Sequence, residues 1–363
     1  MKKSILYIII LFIILTPLVS SGQNWQWARS SSDTFSLAYA TSCIADASGN
    51  VYETGYFYDY ITFGTTVLNC EGFSMFLVKY SSSGNIIWAQ SASDTDHDNK
   101  PFATTTDNAG NVYVAGYFSS PTITFGTTTL INTTGGASSL FIVKYNSLGN
   151  LSWARTAATT GIGAAEPYSI VTDADDNIYV TGYYNSSSII FDSVTLYNIV
   201  SGLGANNMFL VKFNSTGHAV WAKHTKPLTP SSCEGDALAI DHSGNILVSG
   251  TFGTSTVTFD TITLSDSNTT NIFLAKYDVY GNVIWAKNIG GSNWDFVRSM
   301  ASGTSDDVYI AGYFESAYVI FDADTFYNLG GYNAFLVKCN TSGISYGQKA
   351  PLRTLMVMIM LFL

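Results

Sequence analysis

NVYVAGYF (Asn111–Phe118), ITFGTTTL (Ile123–Leu130) and SLFIVKYNSLGNLSWAR (Ser139–Arg155) follow one another in the stretch of sequence that decides the fold. Versions of this stretch account for almost everything after residue 23. The Trp-Ala pair near its end recurs at steps of 61, 65, 68 and 64 residues, at Trp27, Trp88, Trp153, Trp221 and Trp285. Self-similarity at such a period predicts one supersecondary unit used repeatedly.

Three further positions recur in the same register: a glycine, a lysine inside an apolar run, and a phenylalanine. The glycines are Gly55, Gly116, Gly182, Gly250 and Gly312; the lysines are Lys79, Lys144, Lys212, Lys276 and Lys338; the phenylalanines are Phe63, Phe125, Phe191, Phe259 and Phe321. A tyrosine follows the glycine in every copy but the fourth, which has Thr251. Because five of the seven tryptophans also keep this register, we interpret them as core residues of the repeat.

Each unit is typical of β-strands. In MFLVKY (Met75–Tyr80), Phe76, Val78 and Tyr80 alternate with Leu77 and Lys79, which is the period of a strand. Ser-Gly-Asn then leads into the Trp-Ala strand, and Gly and Asn tolerate the positive φ of tight turns. A second turn of this kind recurs at Asp46–Asn50, Asp107–Asn111, Asp173–Asn177 and Asp241–Asn245. We therefore predict four main strands per unit, with ITFGTTTL adding a small ribbon between the second and third.

Four antiparallel strands repeated around an axis describe the blade of a β-propeller. The recurring glycine fits a close backbone approach between crowded sheets. A linear β-solenoid is the main alternative, but its coils are usually much shorter than about 64 residues. The fold class predicted from the sequence is therefore all-β, a β-propeller of about five four-stranded blades.

The repeat also resembles a known family. The pattern D-x-x-G-N-[VI]-Y-[VI]-[AT]-G-Y, followed by F-[LI]-V-K-[YF] and G-N-x-x-W-A, is similar to SBBP-type β-propeller repeat proteins of bacterial cell surfaces. The resemblance covers roughly residues 24–343. It implies a propeller fold and secretion, and it implies little about activity, because that family is defined by its repeat.

Residues 1–22 have the features of a secretory signal peptide. Lys2 and Lys3 are basic, Ile5–Leu15 is apolar, Pro17 breaks the apolar run, and small residues follow it. The alternative, a membrane anchor, needs about 20 apolar residues. We expect a secreted or cell-surface protein with no transmembrane helix in the mature chain, whose propeller repeats span residues 23–343.

The mature chain is acidic. Without Lys2 and Lys3, 14 basic residues face 26 acidic ones, a net charge of −12. This balance disfavours binding to nucleic acid. Charged residues are only 12% of the chain, and the abundance of Ser, Thr, Asn, Gly and Tyr is typical of an extracellular β protein rather than a disordered one.

The two ends of the repeat region suggest how the propeller closes. The segment around Trp27 matches the last strand of a blade without the other three, whereas the last unit ends at Phe335–Cys339 without a Trp-Ala strand. We expect the Trp27 strand to pair beside Phe335–Cys339 and complete a fifth blade.

Residues 344–363 do not fit the repeat. Leu355–Leu363 is wholly apolar but spans only nine residues, about 14 Å as a helix, too short to cross a bilayer. Back-translation of Tyr346–Ala350 in a shifted frame gives Trp-Ala-Lys-Ser, the expected continuation. We hypothesise an out-of-frame reading of further propeller, so that the natural protein would be longer; a genuine divergent terminus is the alternative.

Candidate sites for chemistry are few. Asp94, Asp96 and Asp98 alternate as in calcium loops, but Asn99 and Thr105 replace the required Gly and Glu, which favours a solvated loop. The histidines, His97, His218, His224 and His242, do not recur in register, so zinc is disfavoured. Glu166, Glu234 and Asp236 are acidic residues of the loops between blades, and their spacing supports no catalytic pair. We predict no catalytic, cofactor-binding or metal-binding residue.

Cysteines and aromatic residues were weighed in the same way. Cys43, Cys70, Cys233 and Cys339 occupy non-equivalent positions; secretion permits disulfides, with three possible pairings. Cys339 replaces a recurring tyrosine, so we expect a buried core thiol. We expect the recurring Tyr and Trp residues to pack in the core, and we predict Tyr58, Tyr60, Tyr184 and Trp294 to be better candidates for binding.

The function predicted from the sequence is a non-catalytic binding or structural module, with an extracellular glycan or protein as partner. One alternative is a carbohydrate- or polymer-binding module. Another is a propeller hydrolase or lyase with its site at the mouth of the axis. In all three cases the loops around that mouth are where we expect the site, because loops on a rigid scaffold carry function.

Overall fold

The computed structural model describes residues 26–31, 37–92, 94, 98–198, 205–227, 232–303, 307–322, 324–328, 330–340 and 342–343. These residues form antiparallel strands and turns, and none of them is helical. Within them, no helix has the length and apolar character needed to cross a membrane. The predicted signal peptide and the tail at 344–363 lie outside the described residues. The all-β prediction is confirmed.

The strands group into five successive units, which we call blades 1 to 5. Blade 1 contains β1 (Ala38–Ala45), β2 (Val51–Phe63), β3 (Thr66–Tyr80) and β4 (Ile86–Ser91). Blade 2 contains β5 (Asn99–Thr106), β6 (Val112–Phe118), β7 (Thr122–Phe125), β8 (Thr128–Ile131), β9 (Ser139–Tyr145) and β10 (Leu151–Thr156). Blade 3 contains β11 (Ala158–Thr160), β12 (Ala165–Thr172), β13 (Ile178–Tyr184), β14 (Ser188–Phe191), β15 (Val194–Tyr197), β16 (Asn207–Phe213) and β17 (Ala219–Pro227). Blade 4 contains β18 (Cys233–Ile240), β19 (Ile246–Phe259), β20 (Ile262–Tyr277) and β21 (Val283–Ile289). Blade 5 contains β22 (Asp295–Ser302), β23 (Val308–Phe314), β24 (Tyr318–Phe321), β25 (Asp324–Tyr327) and β26 (Asn333–Cys339).

Blades 1 to 4 each have the four main strands that the repeat predicts, paired in chain order. The predicted ribbon is also present: β7 pairs with β8, and β14 with β15, whereas in blades 1 and 4 it is the extension of two long strands. The first strands of the blades, β1, β5, β12, β18 and β22, contact one another in succession. They form the inner side of a propeller-like arrangement, with the Trp-Ala strands outermost.

The core lies between blades rather than within one sheet. Leu77 of β3 packs into a cluster with Val112, Val143 and Phe141 of blade 2, whereas Phe76 and Val78, on the opposite face of β3, belong to a different cluster. The two faces predicted for this strand are therefore confirmed. Blades 1 to 4 each bury apolar side chains against the next blade, so stability depends on the junctions between neighbours.

The tryptophans of the Trp-Ala pairs contact the next blade at these junctions. Trp88 of blade 1 donates its indole N–H to Ser147 O of blade 2 at 3.2 Å, and a Cβ on Gly149 would lie 2.8 Å from the indole ring. Gly149 has a φ of 84°, so glycine satisfies both the turn and the packing of the ring. The same contact joins Trp153 to the turn at Gly217. All five tryptophans are half-buried, and each packs against a different core cluster, so the prediction is confirmed for their packing although none of them is itself fully buried.

Closure of the ring differs from the prediction in one respect. Trp27 donates to Ser82 O at 3.1 Å and packs on Gly84 of blade 1, as the tryptophan of a preceding blade would. However, the described residues around Trp27 form no strand, and β26 pairs only with β23 among the described strands. Blade 5 therefore has three main strands here, because the expected pairing of Trp27 with Phe335–Cys339 is not formed.

Candidate functional site at the mouth of the axis

A β-bulge interrupts the innermost strand of every blade. The pairing of β5 with β6 shifts register between Pro101 and Ala103, so Phe102 has no partner, and the other four inner strands shift at the equivalent place. A bulged residue is released from the alternation of the strand and can be directed elsewhere. The five residues released in this way are Thr41, Phe102, Tyr168, Asp236 and Arg298, and all five line one cavity of ≈540 Å³.

The bulge explains the recurring glycine. Gly182 pairs with Pro167 next to the bulge, and a Cβ at Gly182 would lie 2.0 Å from Glu166 O. The equivalent distance is 1.9 Å at Gly250. Any larger residue would collide with backbone, so the predicted close approach is confirmed, but it is made to the neighbouring strand of the same sheet and not to another sheet. The glycine, on the second strand of the blade, therefore leaves room for the bulge on the first strand.

The tyrosines that follow this glycine surround the bulged residues. The rings of Tyr117 and Phe102 have centroids 5.5 Å apart, and those of Tyr183 and Tyr168 are 5.6 Å apart. Phe102 and Tyr168, from neighbouring blades, pack edge to face at 5.4 Å. These side chains remain partly exposed. The prediction that recurring tyrosines pack in the core is confirmed for Tyr52, Tyr113 and Tyr179 but not for their equivalent Tyr309. It is wrong for this second set, which faces the mouth.

The four aromatic residues predicted to be binding candidates differ in exposure and in position. Tyr184 is fully buried and its hydroxyl bonds to His224 Nδ1 at 2.9 Å, so its prediction as a binding residue is wrong. Trp294 is 51% exposed and lies beside Phe296 at the rim, with centroids 6.4 Å apart. Tyr58 is exposed and packs on Phe73, and Tyr60 is half-buried in β2. Of the four, Trp294 lies next to a residue of the cavity wall.

The three acidic candidates lie together at the mouth. They are on inner strands rather than in loops, Glu166 on β12 and Glu234 and Asp236 on β18, which corrects the prediction. Glu234 accepts a hydrogen bond from Asn206 Nδ2 at 2.5 Å. The loops of the sequence prediction are shorter than expected, because the inner strands begin within them.

Desolvation dominates the electrostatics of these carboxyl groups. Burial raises the pKa of Asp236 well above its usual range, nearby Glu234 raises it further, and Arg298 lowers it. Burial also raises the pKa of Glu166, an effect that the hydroxyl groups of Ser138 and Tyr183 partly offset. An acidic group with a raised pKa is one whose charged form lacks compensation. Without a cationic partner, burial therefore favours the neutral, protonated form of Asp236.

Two cations flank the carboxylates. Lys100 Nζ lies 2.9 Å from Asp98 Oδ2 and 5.1 Å from the centroid of the Tyr56 ring. Arg298 donates from Nη2 to the Tyr313 hydroxyl at 2.9 Å and packs over that ring. Both cations are thus held by partners of their own. The opposite end of the inner strands has a different cavity of ≈250 Å³, lined by small polar and apolar residues such as Thr172, Leu238 and Met300.

The aspartate of each Asp-x-x-Gly-Asn turn is structural. Asp173 Oδ1 accepts hydrogen bonds from the backbone N–H groups of Asp175 and Asn177, at 3.0 and 2.8 Å, and Asp176 takes the positive φ that glycine has in the other turns. Turn formation therefore explains these aspartates. The sequence did not reveal that the recurring lysine pairs with the same aspartate, as Lys212 does with Asp173 at 3.8 Å. The pairing could have been inferred from the sequence, because the lysine and the turn aspartate recur together in successive units.

The remaining candidates are apart from the mouth. His218 is mostly exposed and lies 3.5 Å from Asp192, and His242 is exposed, whereas burial lowers the pKa of His224 to about 4. His97, with most of the Asp94–Asp98 segment, lies outside the described residues. Across the described ranges, no three His, Cys, Asp or Glu side chains are close enough to bind a metal ion.

The four cysteines are all free thiols in this structure. Cys339 is 3% exposed, which confirms the predicted core thiol. Cys233 is buried, and Cys43 is exposed on the innermost strand of blade 1.

Comparison with known proteins gives distant relatives. No family model matches the chain. An uncharacterized WD repeat-containing protein of Acanthamoeba polyphaga mimivirus is 26% identical over 368 aligned positions, covering 86% of this chain and 26% of that protein. The regulatory protein FlaEY of Caulobacter vibrioides is 26% identical over 145 positions, covering 39% of this chain and 15% of that protein. The chain thus spans about a quarter or less of the length of these relatives.

Among solved structures, a crystal structure of glucose dehydrogenase aligns with 78% of this chain and 96% of that chain. The TM-score is 0.33 and the sequence identity 9%. A likeness at this level carries no argument about fold or activity.

Proposed function

We propose that the chain is a β-propeller that acts as a non-catalytic binding module, with its ligand at the mouth of the axis. The observation that carries this proposal is the bulge, which directs five chemically different side chains into one cavity while the blades around them repeat. A constant scaffold with a variable lining is the usual organisation of a binding site. The WD repeat-containing relative gives independent support, because WD repeats form propeller blades.

The test is binding by the full chain to arrays of immobilised oligosaccharides and peptides. We expect a ligand that the wild type binds and that the double variant Phe102→Ser, Tyr168→Ser does not. The control is Thr172→Ser, at the opposite end of the axis, which should bind as the wild type does. Thermal unfolding of all three proteins shows whether they are equally folded. Equal binding by the double variant would contradict the location of the site.

A carbohydrate is the second candidate ligand. Aromatic rings at Phe102, Tyr117 and Tyr168, close to Glu234 and Asp236, offer stacking surfaces beside hydrogen-bond acceptors. Binding of neutral oligosaccharides on the array would support this candidate. Hydrolysis of a bound oligosaccharide, lost in Glu166→Gln or Glu234→Gln, would instead support the enzyme alternative.

We also propose that the ring closes through the Trp27 segment. In support, Trp27 already lies on the Gly84 turn of blade 1 as Trp88 lies on Gly149, and Leu336 of β26 is 47% exposed. Pairing with β26 would give the Trp27 segment a strand partner and would complete blade 5 with a fourth main strand. Hydrogen exchange tests this: protection of the backbone amides on the outer edge of β26 is expected. Rapid exchange there, with protection on β16, would contradict closure.

Membership of the SBBP-type family and export from the cell remain proposals that rest on the repeat motif and on residues 1–22. Expression of the full gene in a bacterial host, followed by fractionation and N-terminal sequencing, tests export. We expect the protein outside the cytoplasm, beginning near Gln23. Retention in the cytoplasm with Met1 intact would contradict it.

A further inference from the structure

Asp236 is an unusual member of the cavity wall, and the inference drawn from it rests on the proposed binding function. It is a bulged residue on β18, so its side chain is free of the sheet and lines the cavity. No described residue donates a hydrogen bond to its carboxylate, and no described cation lies within ion-pair distance of it. The charged form of such a group is costly in a partly desolvated place, so in the ligand-free chain the neutral form is favoured.

The nearby cations do not supply the compensation. Lys100 is held by Asp98 and by the Tyr56 ring, as described above. Arg298 lies over the Phe296 and Tyr313 rings, at 5.6 and 5.2 Å from their centroids, and its Nη2 is bonded to Tyr313. Its long-range field still acts on Asp236. Since no described cation pairs directly with Asp236, a cationic ligand would take that place and would displace the proton that the ligand-free carboxyl favours.

The wall next to Asp236 is aromatic. Tyr168, at the same bulge position of the preceding blade, packs edge to face with Phe102 and against Tyr183. Glu234, two residues before Asp236 on β18, also lines the cavity. Aromatic faces beside carboxylates attract a positively charged nitrogen that carries carbon substituents, because the ring supplies electron density and the carboxylate supplies charge. A cavity of ≈540 Å³ has the size of a small-molecule site.

We propose that the mouth of the axis binds an organic ammonium group, with Asp236 as its counter-ion, Glu234 as a second carboxylate, and Tyr168 and Phe102 as the aromatic wall. The ammonium group belongs to a small molecule or to the end of a larger one, and both present the same chemistry to the cavity. The overall negative charge of the chain, −10, favours the approach of such a ligand.

Calorimetric titration of the full chain with choline tests the proposal. The matched probe is the uncharged isostere of choline, in which a tert-butyl group replaces the trimethylammonium group. We expect choline to bind about tenfold or more tightly than the isostere, since only choline has the charge. Equal binding of the two probes, or binding of neither, would overturn the inference.

Variants locate the site. Asp236→Asn keeps the shape of the side chain and should weaken choline binding by about tenfold, and Tyr168→Leu by a similar factor. Asp175→Asn, an exposed carboxylate at the turn on the opposite face, should bind as the wild type does. Unchanged affinity in Asp236→Asn would overturn the assignment. Neutral oligosaccharide binding that is lost in Tyr168→Leu, without any preference for choline, would support the proposed function and overturn this inference alone.

Discussion

The junction between blades 3 and 4 and the outer face of blade 5 use the same residues of the repeat in opposite environments. At the junction, Tyr179 and Leu210 are both 0% exposed. Their equivalents in blade 5, Tyr309 and Leu336, are 38% and 47% exposed. The strands and registers are the same, so the difference comes from the presence or absence of a neighbour. A blade forms its own sheet, and the next blade supplies the burial.

Ion pairs show the same contrast. Lys276 and Asp241 of blade 4 lie 2.7 Å apart, and their side chains are 7% and 0% exposed. Lys338 and Asp307 of blade 5 lie at the same distance, but the lysine side chain is 36% exposed. The pair is formed within one blade, because the turn and the third strand position both partners. Its desolvation depends on the following blade.

The largest effect is expected when the buried ion pair is broken. Lys276→Met leaves the Asp241 carboxylate without its counter-ion in a buried place, and should lower the free energy of unfolding by about 3–5 kcal/mol. The matched variant, Lys338→Met, should cause a much smaller loss. Chemical denaturation of both variants measures the difference. Equal losses would mean that blade 5 is covered in solution.

Truncation of the equivalent leucines tests the apolar part of the comparison. Leu210→Ala should cost about 3 kcal/mol of stability, because it removes buried atoms and leaves a cavity. Leu336→Ala should cost about 0.5 kcal/mol or less if the face of blade 5 is exposed. If the ring closes as proposed, the two costs become similar. Urea unfolding therefore distinguishes an open ring from a closed one.

Acid should weaken the region that joins blades 3 and 4. His224 lies on β17, which pairs with both β16 and β19. Burial lowers its pKa from 6.5 to about 4, so the unfolded chain binds the proton first. Stability is full above pH 6.5 and should fall by about 3 kcal/mol as the pH drops to 4. Thermal melts of His224→Gln should lose this dependence, whereas His242→Gln should retain it. A wild-type melting temperature that stays constant over this range would contradict it.

The smallest effect concerns the indole N–H groups. Trp153→Phe removes the hydrogen bond to Ser215 O and part of the packing on Gly217, and should cost about 1 kcal/mol. Trp27→Phe removes the same bond from a segment with no strand partner, and should change global stability less. Differential scanning calorimetry measures both. A larger loss in Trp27→Phe would indicate that this segment closes the ring.

The repeat predicted the fold in some detail. The period of two in Met75–Tyr80, the turn residues and the register of the tryptophans were enough to predict the four main strands of blades 1 to 4 and the ribbon. Burial could not be predicted at the ends, because Tyr309 and Tyr179 occupy the same position of the repeat in similar sequences and differ in whether a following blade covers them. Local pattern contains no information about whether a neighbour is present.

The site was harder to predict for a physical reason. A bulge shifts register by one residue, so Phe102, Tyr168 and Asp236 do not follow the alternation by which their faces would be assigned. The glycine opposite the bulge was visible in the sequence as a recurring residue, but its meaning depends on which carbonyl it faces. Glu166 and Glu234 were noticed as acidic residues and assigned to loops, because strand beginnings are not marked by composition.

The bulge has a consequence for how such a protein can change over generations. The residue that it releases makes no ladder pair, so its identity is not constrained by the sheet. Tandem duplication of a blade would copy the scaffold and one free position together, and each copy could then diverge alone. The five bulge positions now hold Thr41, Phe102, Tyr168, Asp236 and Arg298. Each can be substituted without disturbing the sheet that carries it, so the lining of the cavity can change one residue at a time.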